Sequence, residues 1–465
     1  MTDAALIEDP PGPDAVVAVL GLGVAGRAAS RALRQRGHEV IAFEDAPSPD
    51  KTAFAAEHGI ELLESPTVDE RTQAFARAHA FLPSPGVPEH HGAFGEASAA
   101  GVPTISEFDL ARWWDDRPLI AITGTDGKTS VTLLTVAMLE ASGLHAAGVG
   151  NTETPLVEAI DDSSFDVFVV EASSFRLGHS SHFSPLAAAW LNFSPDHLDV
   201  HASLERYELA KAKIFSALPV DGLAVAPADD AVVLRHLPER RPTTIVSATT
   251  IDTNAGDIPD GADIGHVVDG NLVLHDEVLL AVDELPRAFP HDVSNGLVAA
   301  ALAKRGGATR EGIVRALTTF DLPPHRIQRV ASVDGVEYYN DSKATVPHAV
   351  VTAVEAFDRV VLIAGGRNKG LDLSTMSGAA VGARSVVAMG EAAPEIEAAF
   401  SGRVPTVRAT SMDDAVRQAR AIAEPGDVVL LSPGCTSFDS YGSYGERGDH
   451  FMEIVMHLEP VEEAQ

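Results

Sequence analysis

The 465-residue chain is poor in positive charge: 34 Lys and Arg stand against 67 Asp and Glu, giving a formal net charge of −33. An excess of that sign repels nucleic acid and anionic lipid, so neither is expected as a partner. Cysteine is nearly absent. Cys435 alone excludes an internal disulfide framework and a cysteine-based zinc cluster, and it fits a reducing compartment. No stretch reads as a transmembrane span, and Met1 to Pro13 are acidic and proline-rich where a secretory signal needs a basic start and an apolar run. The expectation is a cytoplasmic protein without membrane insertion. Lysine is scarce as well, seven in all. Lys128, Lys211, Lys343 and Lys369 fall inside motifs; Lys51, Lys213 and Lys304 do not.

What the chain does have is a strand, a glycine-rich turn and a helix. The apolar run Leu119 to Ile122 precedes T-G-T-D-G-K-T-S, and apolar residues then recur at helical spacing up to Gly143. Such a turn aims backbone N–H groups and the helix dipole at an anion, while Lys128 supplies a charge and Thr129 a hydroxyl for magnesium. The common form of this motif has glycine where Ile122 stands, so the match rests on Gly124, Gly127, Lys128 and Thr129 in their strand-and-helix context.

At this length about three domains are expected. Residues 15 to 45 read as strand, turn, helix and strand, with Gly21, Gly23 and Gly26 in the dinucleotide fingerprint and Glu44 at the second strand's end. NAD is one reading, and the diphosphate of a sugar nucleotide is another. Ser84 and Gly86 occupy a rigid proline-bounded loop after a strand. Further on, F-D-V-F-V-V-E ends in Glu171, either a magnesium ligand at a strand's carboxyl end or a glutamate at the solvated mouth of a sheet. The strand Leu186 to Phe193 leads to His197 and Asp199, and the next helix carries Lys211, which by helix position alone reads as a solvated charge. V-V-D-G-N-L-V-L reads as an edge hairpin turning at Asp269-Gly270, and Phe289 to Ala303 as a helix with His291, Asp292 and Asn295 near its start. Beyond D-L-P-P-H-R, three strands run into loops bearing Lys343, Lys369 and Ser437. The fold class is therefore α/β: a Rossmann-like domain (1–106), a central phosphate-loop ATPase-type domain with a mostly parallel sheet (107–322) and a second Rossmann-like domain (323–465).

Taken together, G-T-D-G-K-T, N-T-E-T-P, E-A-S-S-F, D-H-L-D, Y-E-L-A-K, H-D-V-S-N, P-H-R and N-D-S-K-A-T resemble the Mur ligases in order and spacing. N-D-S-K-A-T and L-S-P-G-C-T-S-F-D, followed by G-E-R-G-D-H-F, resemble the branch that adds D-glutamate to UDP-N-acetylmuramoyl-L-alanine. The resemblance covers essentially the whole chain. It implies a three-domain ligase of peptidoglycan precursor synthesis using ATP and two magnesium ions, with an acyl phosphate on the path; a monomer is expected.

It also implies residue roles. Gly124, Thr125, Asp126, Gly127, Lys128, Thr129, Ser130, Asn295, Arg326 and Asp341 would contact ATP. Thr129, Glu171, His197 and Lys211, the last as a carbamate, would hold magnesium, with Lys128, His197 and Lys211 the catalytic set. Val24, Ala25, Glu44, Asp45, Ser84 and Asn151 would line the UDP-sugar site, and Lys343, Thr345, Lys369, Ser437 and Phe438 the glutamate site. Four positions depart from the pattern: Asp126, Asp292, Val346 and Asn368. A folate-type glutamate ligase would share the central motifs without needing the front diphosphate turn, and an NAD-dependent oxidoreductase would leave the central motifs idle.

Overall fold

A computed structural model of the chain describes residues 10–12, 14–251 and 258–459, so the acidic segment Met1 to Pro13 lies largely outside the described residues. The chain divides into two compact units, Met1–Phe320 and Asp321–Gln465.

The first unit contains two sheets. Strands β1 (Val16–Leu20), β2 (Glu39–Glu44), β3 (Glu61–Glu64) and β4 (Ala80–Pro83) form a parallel sheet in the order β3-β2-β1-β4. The turn after β1 depends on glycine. Gly21 has φ +85°, and a Cβ on Gly26 would lie 2.0 Å from the Gly21 carbonyl oxygen, so the Val24–Gln35 helix packs directly on the turn.

The second sheet holds β5 (Leu119–Thr123), β6 (Ala146–Gly150), β7 (Val167–Glu171), β8 (Ala187–Trp190), β9 (Leu223–Pro227), β10 (Thr243–Val246), β11 (Asp263–Val268), β12 (Asn271–Leu274) and β13 (Glu277–Ala281). Their order is β13-β12-β11-β10-β9-β8-β5-β7-β6, parallel up to β11 and antiparallel in the final hairpins. The Asp269-Gly270 turn has φ +48° and +75° and joins β11 to β12, as its sequence predicts. All five β5 residues are buried, as a strand covered by helices on both faces requires. With β7 and β6 on one side of β5 and β8 on the other, the chain order reverses at β5. Ligands of open α/β sheets bind beyond the carboxyl end of such a strand.

The second unit has one sheet: β14 (Gln328–Val333), β15 (Val336–Asn340), β16 (Val360–Gly365), β17 (Ala383–Met389), β18 (Thr406–Arg408) and β19 (Val428–Gly434), in the order β14-β15-β19-β16-β17-β18. All pairs are parallel except β14 with β15. The loops with Lys343, Lys369 and Ser437 leave the carboxyl ends of the neighbouring strands β15, β16 and β19.

Candidate active site

At the carboxyl end of β5, Gly127 caps the Lys128–Ala141 helix in the left-handed conformation, φ +82°. A Cβ there would meet Asn295 Oδ1 at 3.2 Å, so the Pro290–Arg305 helix brings Asn295 beside the loop. The loop is held by a residue the sequence reading passed over. Asn192, just after β8, accepts from the Thr125 and Asp126 amides through Oδ1 at 3.0 and 2.9 Å. Thr125 Oγ1 donates to the Ser194 carbonyl at 3.1 Å. Only its place at a strand end could have flagged Asn192.

Two ammonium groups converge on this loop. Lys128 Nζ donates to the carbonyls of Gly124 (2.8 Å) and Thr125 (2.9 Å), and Lys211 Nζ donates to the Gly124 carbonyl at 2.6 Å. Lys211 is 2% exposed, so the solvated-charge reading of this helix position is overturned: the Leu204–Ser216 helix turns that face into the sheet. Its Nζ also sits 4.7 Å from the centre of the Tyr207 ring, whose hydroxyl meets Thr125 Oγ1 at 3.3 Å. Burial drives the Lys211 pKa well below the ordinary lysine value, and the neighbouring Lys128 charge pushes the same way; Asp196, Asp126 and Glu171 oppose.

Glu171 is buried at the carboxyl end of β7, with Oε1 accepting from Asn151 Nδ2 at 3.1 Å and Oε2 buried without a partner among the described residues. His197 has φ +55°, its ring half-exposed, 3.3 Å from Asp196 Oδ2 and edge-on to Phe175. Asn151 is fixed in turn by Arg176, which pairs with Glu107 in the interior. These features fit the expected groups. The left-handed Gly127, the helix start and Lys128 suit a triphosphate, and the orphaned Glu171 oxygen suits a hard cation. No group of three or more His, Cys, Asp or Glu arranged for a metal occurs among the described residues. Magnesium usually takes one or two carboxylates and completes its shell with water and phosphate.

On the first sheet, Glu44 is buried and already engaged: it accepts from Leu22 N (2.8 Å) and Ala46 N (3.1 Å) and pairs with Lys51 (3.0 Å). It therefore braces the glycine turn. Ser84 Oγ donates to the Gly21 carbonyl at 2.7 Å and ties the next loop to that turn. Val24 is exposed, Ala25 buried beside it, and Asp45 meets His91 at 3.0 Å.

In the second unit, Asp341 accepts from Ile327 N and Ser432 Oγ, and Lys343 Nζ lies 3.8 Å from the Tyr444 ring centre. Thr345 and Lys369 are half-buried, Ser437 is buried and Phe438 is 61% exposed. Arg326 is half-buried on the segment before β14. Here the missed residue is Arg447. It is 2% exposed and donates to Ser342 Oγ (2.9 Å), the Ser342 carbonyl (2.8 Å) and the Cys435 carbonyl (3.1 Å), fastening the loops after β15 and β19.

Three of the departures have local reasons. Asp292 makes a double contact with Arg287, both at 2.6 Å. The Asn368 amide donates to Glu395 and to the Leu371 carbonyl, which an aspartate could not do. Val346 is buried at the cap of the Pro347–Glu355 helix. Asp126 keeps its backbone in the loop through Asn192.

A glycine-capped helix start at the reversal point of a parallel sheet, with two lysines and a buried acid beside it, defines a nucleoside-triphosphate-binding α/β protein. Comparison with known proteins narrows this. Residues 122–303 match the model of the Mur ligase middle domain, and residues 325–435 that of the Mur ligase glutamate ligase domain. The chain is 38% identical to the UDP-N-acetylmuramoylalanine--D-glutamate ligase of Salinibacter ruber, over 95% of this chain and 97% of that one. Among solved structures, a pseudomurein peptide ligase type C from Methanothermus fervidus superposes with TM-score 0.59 at 17% identity, covering 96% of this chain and all of that one. The MurF ligase from Thermotoga maritima in complex with ADP superposes at 0.56 and 15%, over 90% and 94%. The chain belongs to the Mur ligase family, whose members are ATP-dependent, ADP-forming amide ligases.

Proposed function

We propose that this enzyme joins D-glutamate to UDP-N-acetylmuramoyl-L-alanine at the expense of ATP, a cytoplasmic step of peptidoglycan precursor synthesis. The observation that carries the reading is the alignment with ligases of that name over nearly the full length of both chains. An amine does not displace the oxygen of a carboxylate unaided. Transfer of the γ-phosphoryl group to the substrate carboxylate supplies a leaving group, and the glutamate amine then displaces phosphate.

The roles proposed for the residues follow their chemistry. Gly124 to Ser130 and Asn295 cradle ATP, and Lys128, already turned into the loop, offsets charge on the transferring group. In the second unit, Arg326 and Asp341 are assigned to the nucleotide, and Lys343, Thr345, Lys369, Ser437 and Phe438 to glutamate, whose two carboxylates suit two lysines. Val24, Ala25, Asp45, Ser84 and Asn151 are assigned to the UDP-sugar, with Glu44 acting through the turn it braces. Magnesium, when bound, would neutralise phosphoryl charge, held by Thr129, Glu171, His197 and Lys211. For Lys211 this requires a carbamate: the neutral amine adds to the carbon of carbon dioxide, a proton leaves, and two oxygens become available as hard ligands. Burial and the depressed pKa of Lys211 support that step. The domain joins are proposed to lie near Ser106 and Leu322, and the enzyme is proposed to act as a monomer.

Phosphate release assayed with UDP-N-acetylmuramoyl-L-alanine and a panel of D- and L-amino acids tests the reading. Release should need both co-substrates and favour D-glutamate. Failure of every amino acid, or calorimetric binding of NADH in place of the UDP-sugar, would overturn it.

A further inference from the structure

Between the two sheets of the first unit lies a hydrogen-bonded chain that none of the assigned roles uses. The loop after β4 is sewn to the segment after β8: Glu89 N donates to the Val200 carbonyl at 2.9 Å. The Glu89 carboxylate meets His201 Nδ1 at 2.9 Å, and its other oxygen accepts from Ala202 N (3.3 Å) and Arg206 Nε (3.2 Å). His201 Nε2 is 2.9 Å from Ser174 Oγ. His201 is 3% exposed and Ser174 2%. A carboxylate can only accept, so Nδ1 carries a proton, and in the neutral ring Nε2 accepts from the Ser174 hydroxyl. Both ring nitrogens are used, and the imidazole has one orientation.

That orientation matters to its neighbours. The His201 ring stacks on Phe175, with centroids 5.5 Å apart at 21°, and the edge of Phe175 faces His197 at 4.8 Å. Tyr207 touches both histidines, at 6.0 and 5.2 Å, and reaches Thr125 Oγ1 of the phosphate loop and Lys211 Nζ. Ser84 and Gly86, on the loop that carries Glu89, line a narrow cleft with Ser174, Phe175, His179 and His201. A continuous path of hydrogen bonds and ring contacts thus runs from the loop of the first sheet to His197 and Lys211.

We propose that Glu89 and His201 form a positioning pair that couples UDP-substrate docking on the first sheet to the phosphoryl-transfer centre of the second, by fixing Phe175 and Tyr207 around His197 and Lys211. The inference rests on the ligase reading above for the identity of the two ligands. Neither residue is assigned contact with reacting atoms. Glu89 is a polar residue in a proline-bounded loop, and nothing in its sequence context marks it.

The test uses the full chain and three variants, Glu89→Ala, Glu89→Gln and His201→Gln. Binding of a non-hydrolysable ATP analogue is measured by calorimetry with and without UDP-N-acetylmuramoyl-L-alanine, followed by turnover. The wild type should show a coupling of about fivefold or more between the two ligands. In Glu89→Ala it should fall towards unity, and kcat should drop roughly tenfold, with the affinity of the analogue alone unchanged. Glu89→Gln retains an acceptor for His201 Nδ1 and should recover most of both losses. His201→Gln, which can bridge Glu89 and Ser174 with its amide, should lie between. A Glu89→Ala enzyme with wild-type coupling and kcat overturns the proposal. So does a variant set in which melting temperature falls while coupling and kcat per folded enzyme stay intact, since that marks a merely structural contact. Absence of wild-type turnover alongside normal coupling would instead count against the substrate assignment and leave the positioning pair supported.

Discussion

Replacing Arg447 by methionine removes a buried fork of donors while keeping most of the volume. In the native fold the guanidinium satisfies Ser342 Oγ, the Ser342 carbonyl and the Cys435 carbonyl. Burial pulls its pKa down to about 10, so it remains charged at neutral pH. Stranding a buried acceptor costs about 1–3 kcal/mol, so three stranded together cost roughly 3–9 kcal/mol. Against this, the variant no longer desolvates a cation, which returns several kcal/mol. The net loss should be about 3 kcal/mol, which for a unit of this size lowers the melting temperature by roughly 6–12 °C. The same change should slacken the loops after β15 and β19 and raise the KM for glutamate about tenfold, a loss of about 1.4 kcal/mol in binding, with the KM for the UDP-substrate unchanged. Arg447→Lys keeps the charge but not the planar fork, so it should fall between. Scanning calorimetry and initial rates decide it. A methionine variant melting within about 1 °C of wild type, with the same glutamate KM, would refute the reasoning.

Lys128→Ala should lower phosphate release by about two to three orders of magnitude with little change in melting temperature; substantial residual turnover would remove the loop from the chemistry. Gly26→Ala should destabilise the first sheet by about 1–2 kcal/mol, because a Cβ 2.0 Å from the Gly21 carbonyl oxygen outweighs the ~1 kcal/mol gained in helix propensity. A urea midpoint equal to wild type would count against that packing, and calorimetry should show weaker UDP-sugar binding alongside the stability loss. For His179, burial and the nearby Lys213 charge push the pKa from 6.5 down to about 4. A depressed histidine pKa stabilises the fold fully above pH 6.5, and that stability is lost as pH falls towards 4, because the unfolded chain binds the proton first. The melting temperature of His179→Gln relative to wild type should therefore be constant above pH 6.5 and rise in the variant's favour between pH 6.5 and 4; a flat difference would refute the assignment.

Much of the fold was legible because it is local. The buried runs of β5, β7, β16 and β19 are continuous apolar text, as parallel strands covered on both faces must be. The phosphate loop announces itself through residue types that only anion binding requires together. What was not legible is what long-range contact decides. Strand β14, half-exposed and antiparallel at the sheet edge, carries no distinctive pattern. Asn192, Arg447, Glu89 and His201 each act through at least one distant partner: Asn192 is 66 residues from Asp126, Arg447 105 from Ser342, and His201 112 from Glu89. Glu44 shows the converse. Its place after the fingerprint reads as lining the UDP-sugar site, yet its oxygens are engaged by two backbone amides and Lys51.

Lys211 joins the two kinds of information. By periodicity it belongs to a helix, and helices usually leave lysines in water. The fold puts its nitrogen and that of Lys128 on the same carbonyl oxygen, 2.6 and 2.8 Å away. Two ammonium ions so placed in a water-poor site repel each other, and the more deeply buried one yields its proton more readily. In a chain with 67 acidic residues and seven lysines, a lysine pair directed at one atom near a Glu171 oxygen that has no hydrogen-bond partner among the described residues is costly to maintain for stability alone. The arrangement fits the roles proposed above, with Lys128 meeting phosphate and the depressed pKa of Lys211 favouring its carbamate. The same two residues thus divide between them the charge and the nucleophilic nitrogen that the proposed chemistry needs.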